Sequence, residues 1–287
     1  MTYKDAMTLG AQRCEDSAVS PELARRLMLE LCDVNEINLY TDMDDLMNPS
    51  FESLYLSGVD RLVNQEPLGY VLGFDWFYGY RLRVNPSVLI PREETEELVS
   101  HILADIDDYF VNPAIADIAC GSGAIAIALK KESETALVFA SDISEAAIET
   151  ATINAEQNDA DIDFMVGDMC QPLIARGIKV DILVCNPPYI AADEAIADSV
   201  KNYEPSLALY GGEDGLKFYR QVLEESKALL KPRSMLAFEI GYQQKETLTR
   251  IAHEFYPQAT VICRKDLNGL DRMLFVYNAI DTKDSIR

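Results

Sequence analysis

Basic residues are scarce in this chain of 287: 25 lysines and arginines face 48 aspartates and glutamates, for a formal net charge of −23. Nucleic-acid affinity depends on Lys and Arg neutralising phosphates, so this balance works against a DNA or RNA substrate. The acidity favours solubility, and part of it can steer a basic partner. Histidine is scarcer still, and the only two, His101 and His253, are assigned to structure. The six cysteines never form C-x-x-C, which leaves no usual zinc or disulfide framework and suits a reducing compartment. No metal is expected. Long apolar runs are lacking too. Nothing approaches the roughly 20 residues of a membrane helix, and the first ten residues hold no apolar stretch of a secretory signal. The expectation is a cytoplasmic monomer with no membrane role and no direct contact with nucleic acid.

What is present suffices for real cores: 48% of the residues are hydrophobic, and the length allows one ordinary domain plus a smaller one. Residues 1–75 read as a small helical bundle. Apolar positions recur at helical spacing over 18–31, with Ser20 as N-cap and Pro21 in the first turn, and again over 51–64 after Ser50. Residues 76–90 alternate aromatic and polar side chains and are punctuated by Gly79, Asn85 and Pro86, the pattern of a β-hairpin linker. Residues 91–287 then alternate strand and helix. The acids Glu93, Glu94, Glu96 and Glu97 open a helix where the macrodipole favours them. Apolar runs follow at 114–119, 136–141, 162–166, 180–185, 235–240, 260–264 and 272–277. Helical stretches over 144–158, 215–230 and 242–255 fall between several of them. Most runs lack strict alternation, which predicts strands buried on both faces of a mostly parallel sheet. The last two, around Asn268-Gly269, predict an antiparallel hairpin.

The first of these strands runs into Asp117-Ile118-Ala119-Cys120-Gly121-Ser122-Gly123. Glycines there allow a cofactor to approach the backbone, and the next helix begins with free N–H groups. The six-residue dinucleotide fingerprint is not matched, because Ala126 stands where its last glycine would be. The second strand ends in Asp142, suited to accepting hydrogen bonds from two ribose hydroxyls. Capping of the next helix is the other reading of that acid, a job Ser144 can do instead. The third strand ends in Gly167-Asp168-Met169, where Asp168 can accept from an exocyclic amine and Met169 can lie against a purine. Three successive strands ending this way at one sheet edge favour an adenosine cofactor.

The fourth strand ends in Asn186-Pro187-Pro188-Tyr189. Adjacent prolines stiffen the backbone and remove two N–H donors. The Asn186 side-chain carbonyl and the Pro187 backbone carbonyl can then face a planar NH2 group, with Tyr189 as an aromatic wall. An amide nitrogen is a poor nucleophile, since its lone pair is delocalised. Two acceptors on its hydrogens would aim it at an electrophile and favour the charge it gains, so positioning and electrostatics would carry the catalysis.

Asn-Pro-Pro-Tyr is shared by methyltransferases acting on adenine N6, cytosine N4 and glutamine N5. Further segments narrow the match: residues 66–73 (Glu-Pro-Leu-Gly-Tyr-Val-Leu-Gly), Phe77-Tyr78-Gly79, Val84-Asn85-Pro86 and Leu89-Ile90-Pro91-Arg92. Glu204-Pro205, residues 211–216 (Gly-Gly-Glu-Asp-Gly-Leu), Tyr219-Arg220, Glu239-Ile240-Gly241 and Asp271-Arg272 extend it. From Glu66 to Tyr277 the chain resembles, in order, the bacterial HemK/PrmC family of release factor glutamine methyltransferases. The resemblance implies a class I S-adenosylmethionine-dependent methyltransferase fold, a Rossmann-like seven-stranded sheet with helices on both faces, carrying a small N-terminal helical domain. It implies that Ala119, Cys120, Gly121, Ser122, Gly123, Asp142, Asp168, Met169 and Asn186 contact S-adenosylmethionine. Asn186, Pro187, Pro188 and Tyr189 would hold the acceptor, the glutamine of the Gly-Gly-Gln motif in class I peptide chain release factors, and the helical domain would help to dock that factor. Two positions depart from the family pattern: Ala119 replaces a glycine and narrows the cofactor loop, and Glu93 replaces a proline. A glutamine methyltransferase of a ribosomal protein would share the same pocket motifs. An adenine-N6 methyltransferase of nucleic acid is opposed by the charge and by the lack of a basic target-recognition region.

Overall fold

The computed structural model describes residues 1–282 and divides into two compact units, residues 1–75 with 196–204, and residues 76–195 with those from 205 onward.

The first unit is helical. Its helices are α1 (Tyr3–Asp16), α2 (Pro21–Val34), the short α3 (Leu39–Asp42), α4 (Pro49–Val63) and α5 (Leu68–Leu72). Thr2 caps α1 by accepting from the Asp5 N–H. Ser20 occupies the N-cap position of α2 but makes no side-chain capping bond there, and Pro21 follows it. At α4 the cap is Asn48 rather than Ser50: the Asn48 side chain accepts from the Ser50 N–H at 2.9 Å, and Pro49 opens the helix. The packed faces place Leu27, Met28, Tyr55 and Leu62 in one core with under 2% of their surface exposed.

A hairpin of β1 (Phe74–Phe77) and β2 (Tyr80–Arg83) follows, the second unit starting at Trp76 within β1. Tyr78 and Gly79 turn it with φ of 52° and 80°, the two positive values that a tight right-twisted hairpin demands. Helix α6 (Glu93–Tyr109) follows, starting on its run of acids. The main sheet holds β3 (Ala114–Ile118), β4 (Leu137–Asp142), β5 (Ile162–Val166), β6 (Val180–Cys185), β7 (Leu230–Glu239), β8 (Thr260–Lys265) and β9 (Asp271–Asn278). Their order is β5-β4-β3-β6-β7-β9-β8. The first five are parallel, while β9 runs antiparallel to β7 and β8. Strand β7 begins earlier than the sequence indicates, because Leu230 already pairs with Val180 ahead of an irregularity in the ladder.

Crossover helices α7 (Ala124–Glu132), α8 (Glu145–Gln157), α9 (Gln171–Ala175), α10 (Asp198–Tyr203), α11 (Lys217–Leu229) and α12 (Lys245–Phe255) complete the chain; α10 belongs to the first unit. Strand alternation sorts side chains into two cores. Ile115, Val138, Ile182 and Phe275 face one helix layer, while Ala116, Leu183, Leu236 and Leu274 face the other. Strand order reverses direction at β3, with β4 on one side and β6 on the other. In open α/β sheets the crevice for a ligand lies outside the carboxyl ends at such a point.

Candidate functional site

A cavity of about 380 Å³ opens at the carboxyl ends of β3, β4, β5 and β6, within the usual size range of small-molecule sites. Ala119 and Gly121 come from the β3 turn, Asp142 from β4, Asp168 and Met169 from β5, and Asn186 and Pro188 from β6. Asp142 is held from two sides. Its Oδ2 accepts from the Gly121 N–H at 2.9 Å and its Oδ1 from the Ser144 N–H at 2.9 Å. Burial raises its carboxyl, and the N–H groups of Ser144, Gly121 and Ile143 pull it back down. A carboxylate has about four acceptor positions, so acceptor capacity remains for a ligand. Ser144 itself caps α8 by accepting from the Ala147 N–H, which frees Asp142 from that task.

The turn after β3 is strained. Ala119 has φ 59° although it carries a Cβ, and Gly121 and Gly123 also have positive φ. A Cβ on Gly123 would come within 3.1 Å of the Ala151 Cβ, whereas one on Gly121 would meet no atom within 4 Å. The third position therefore serves packing against α8. Met169, at the edge of the cavity, also has positive φ, 42°. The Ser141 hydroxyl holds its carbonyl at 2.8 Å. Non-glycine residues in this region cost of order 1–3 kcal/mol each and persist where surrounding contacts over-determine them.

Beneath the turn lies Asp117. It is fully buried; its Oδ2 accepts from the Ala126 N–H at 3.1 Å and its Oδ1 has no hydrogen-bond partner. Burial, with the nearby Asp142 charge adding, pushes this carboxyl up to about 8. Nothing in the sequence marks Asp117 for a role, because burial at the foot of a loop leaves no local signature.

The Asn186-Pro187-Pro188-Tyr189 segment leaves β6 and is braced by the segment that precedes α11. Ile190 donates to the Leu209 carbonyl at 3.0 Å, and Gly211 donates to the Ile190 carbonyl at 2.8 Å. The backbones lie so close that a Cβ on Gly211 would be 2.5 Å from the Pro188 carbonyl oxygen, and one on Gly215 would collide with that of Tyr189. Gln244 Nε2 donates to the Tyr189 carbonyl at 3.1 Å. Both prolines are buried and Asn186 is half-buried. Asn186 Nδ2 donates to Thr95 Oγ1 at 3.3 Å. Thr95 in turn donates to Glu239 Oε2 at 2.5 Å, and Tyr189 Oη lies 3.5 Å from Glu239 Oε1. Burial raises the Glu239 carboxyl, while Thr95, the Arg272 charge and Tyr189 act against that rise.

Of the nine residues expected at the cofactor, Ala119, Gly121, Asp142, Asp168, Met169 and Asn186 meet at the cavity. Cys120, Ser122 and Gly123 are buried in the turn behind it, and the Ser122 carbonyl is taken by Asn154 Nδ2 at 2.9 Å. Asp168, exposed, accepts from Gln221 Nε2 at 3.0 Å. Pro188 lines the same cavity. Tyr189 lines a second, more open one bordered by Arg220, Tyr242 and Arg272. Val88, Leu89, Ile143, Leu207 and Phe218 also wall the cavity, with no cofactor role evident from the sequence motifs. Ile143 had a signal, since it directly follows the acid that ends β4 and is 58% exposed.

Known proteins match this chain over most of its length. A methyltransferase small domain model matches residues 94–203, and a PrmC N-terminal domain model matches residues 5–73. Over 279 residues the chain is 38% identical to the release factor glutamine methyltransferase of Bacillus cereus, covering 96% of this chain and 99% of that one. Against the protein of the same name in Staphylococcus aureus the identity is 34%, with 96% and 98% covered. Among solved structures, a methyltransferase from Pyrococcus furiosus superposes with a TM-score of 0.52 at 16% identity, covering 77% of this chain and 98% of that one. That last likeness shows the fold alone. Among the described residues no helix is long and apolar enough to cross a membrane.

Proposed function

The chain belongs to the release factor glutamine methyltransferase family, and we propose that it methylates N5 of the glutamine in the Gly-Gly-Gln motif of class I peptide chain release factors. It has the class I S-adenosylmethionine-dependent methyltransferase fold, with the seven-stranded sheet described above. The residues present fit that cofactor. A two-point-anchored carboxylate at Asp142 suits a ribose diol, and apolar Met169 and exposed Ile143 offer surface to a purine. Below the turn, fully buried Asp117 keeps one oxygen without a hydrogen-bond partner, outside the cavity lining. When bound, S-adenosylmethionine supplies an electrophilic methyl group.

The observation that carries the proposal is Asn186 at the cavity edge, its Nδ2 engaged by Thr95. Its Oδ1 is thereby left to accept a hydrogen from the substrate amide, and the Pro187 carbonyl takes the second. Held so, the amide nitrogen is aimed at the cavity and its developing positive charge is met by two acceptors. Tyr189 walls the acceptor. Residues 1–75 form the helical domain that helps to dock the release factor, residues 76–90 the linker, and the rest the catalytic domain. The acidic surface suits a basic protein partner and keeps nucleic acid away. The enzyme acts as a cytoplasmic monomer.

Asn186→Ala tests the assignment. Turnover on a release factor is expected to fall by at least about tenfold while cofactor affinity changes far less. A variant with wild-type kcat would remove Asn186 from the acceptor site.

A further inference from the structure

The Asn186 side chain is a planar amide with an acceptor end and a donor end of nearly equal size. Only one end suits the acceptor assigned above. Facing a substrate NH2, the carbonyl end makes a hydrogen bond and the NH2 end repels. Something must therefore choose between two orientations that packing alone hardly distinguishes.

Thr95, in the first turn of α6, lies against Asn186, and Glu239, the last residue of β7, lies against Thr95. Both are nearly inaccessible, at 4% and 3% exposure. A threonine hydroxyl has one proton and two lone pairs. At 2.5 Å from Glu239 Oε2 that proton is committed to the carboxylate, at the distance of a charge-assisted O–H bond. Thr95 Oγ1 then has only lone pairs to offer Asn186, so it can accept from Nδ2 and repels Oδ1. The other carboxylate oxygen, Oε1, faces the Tyr189 hydroxyl. The Glu239 backbone carbonyl is fixed by the buried Tyr219 hydroxyl at 2.7 Å. Glu239 thus meets Tyr189 directly and reaches Asn186 through Thr95, at the two ends of the Asn-Pro-Pro-Tyr segment.

We infer that Thr95 and Glu239 are positioning residues whose hydrogen-bond polarity locks the Asn186 amide with Oδ1 toward the substrate glutamine. The inference rests on the acceptor role proposed for Asn186. Neither residue touches the substrate. They act through Asn186, and Glu239 acts also on Tyr189.

A purely structural alternative would have the Thr95–Glu239 bond do no more than fasten α6 to β7. Isosteric changes separate the two. In Thr95→Val the shape stays and the hydroxyl goes, while Thr95→Ser keeps the hydroxyl. In Glu239→Gln one of the two facing hydroxyls must meet an NH2 group. The measurements are kcat and KM with a purified release factor, cofactor Kd by titration calorimetry, and Tm, on the full chain. Thr95→Val and Glu239→Gln are each expected to lose about tenfold in kcat with cofactor Kd within about twofold, and Thr95→Ser to regain most of the loss. In an Asn186→Ala background Thr95→Val should add less than about twofold, since the group it orients is gone. Wild-type kcat in Thr95→Val, or a loss in Thr95→Ser equal to that in Thr95→Val, overturns the inference. So does full additivity with Asn186→Ala. Should Thr95→Val not fold, Glu239→Gln carries the same contrast, alone and with Asn186→Ala. Wild-type turnover in Asn186→Ala itself would instead reject the acceptor role. Loss there with none in the Thr95 and Glu239 variants rejects only the positioning.

Discussion

Ala119 holds a left-handed backbone at the start of the cofactor turn, a conformation that costs an L-residue roughly 1–2 kcal/mol. Glycine removes that cost and gives back part of it as unfolded-chain entropy. Ala119→Gly is therefore expected to stabilise the protein by about 1 kcal/mol, read as a rise in Tm, with cofactor affinity equal or tighter. A lower Tm would mean that the turn depends on the Cβ. The sequence marked this position as a departure from a glycine, yet the reason, a positive φ, needed the backbone. Asp117 offers a second test. Its ordinary value is 3.8 and its folded value about 8, so the folded state keeps the proton that the unfolded state gives up. That contribution is complete below pH 4 and is lost as pH rises toward 8. Asparagine cannot ionise. The Tm of Asp117→Asn should thus gain on the wild type from pH 5 to pH 8 and then level off. A constant difference across that range would show that Asp117 is not protonated inside the fold.

At the scale of elements, what repeats locally was legible and what depends on distant partners was not. Strands β5 and β6 match the expected 162–166 and 180–185, since short apolar runs bounded by acids and prolines leave little choice. β7 starts at Leu230 rather than 235, because Lys231-Pro232-Arg233 reads as a break although Leu230 already pairs with β6. Helix α1 carries no apolar stripe to mark it in the sequence, since its buried face is Tyr3, Ala6, Gly10 and Cys14, mostly small residues. The sequence marks the segment before α11 only as a glycine-rich likeness. The structure supplies its reason, contact between two backbones. Gly215 has φ 70° and no room for a Cβ beside the Tyr189 carbonyl. Gly215→Ala should destabilise by about 2 kcal/mol or more and lower turnover together with Tm. An active variant of unchanged Tm would show that the segment can shift without disturbing the acceptor loop.

For the whole molecule, the alternating grammar of strand and helix specified a doubly covered, mostly parallel sheet, and motif order along the chain pointed to the cavity at its carboxyl edge. Chain distance concealed the rest. Thr95 and Glu239 are 144 residues apart, and no spacing rule joins the first turn of α6 to the end of β7. Nor does any local pattern assign residues 196–204 to the first compact unit. The charge of −23 limits partners without naming one. The most direct test of the central claim is transfer of label from methyl-labelled S-adenosylmethionine to a purified release factor, beside a variant whose Gly-Gly-Gln glutamine is alanine. Label on the first and none on the second is the predicted result. Label on neither, with transfer to a ribosomal protein or to DNA instead, would contradict it.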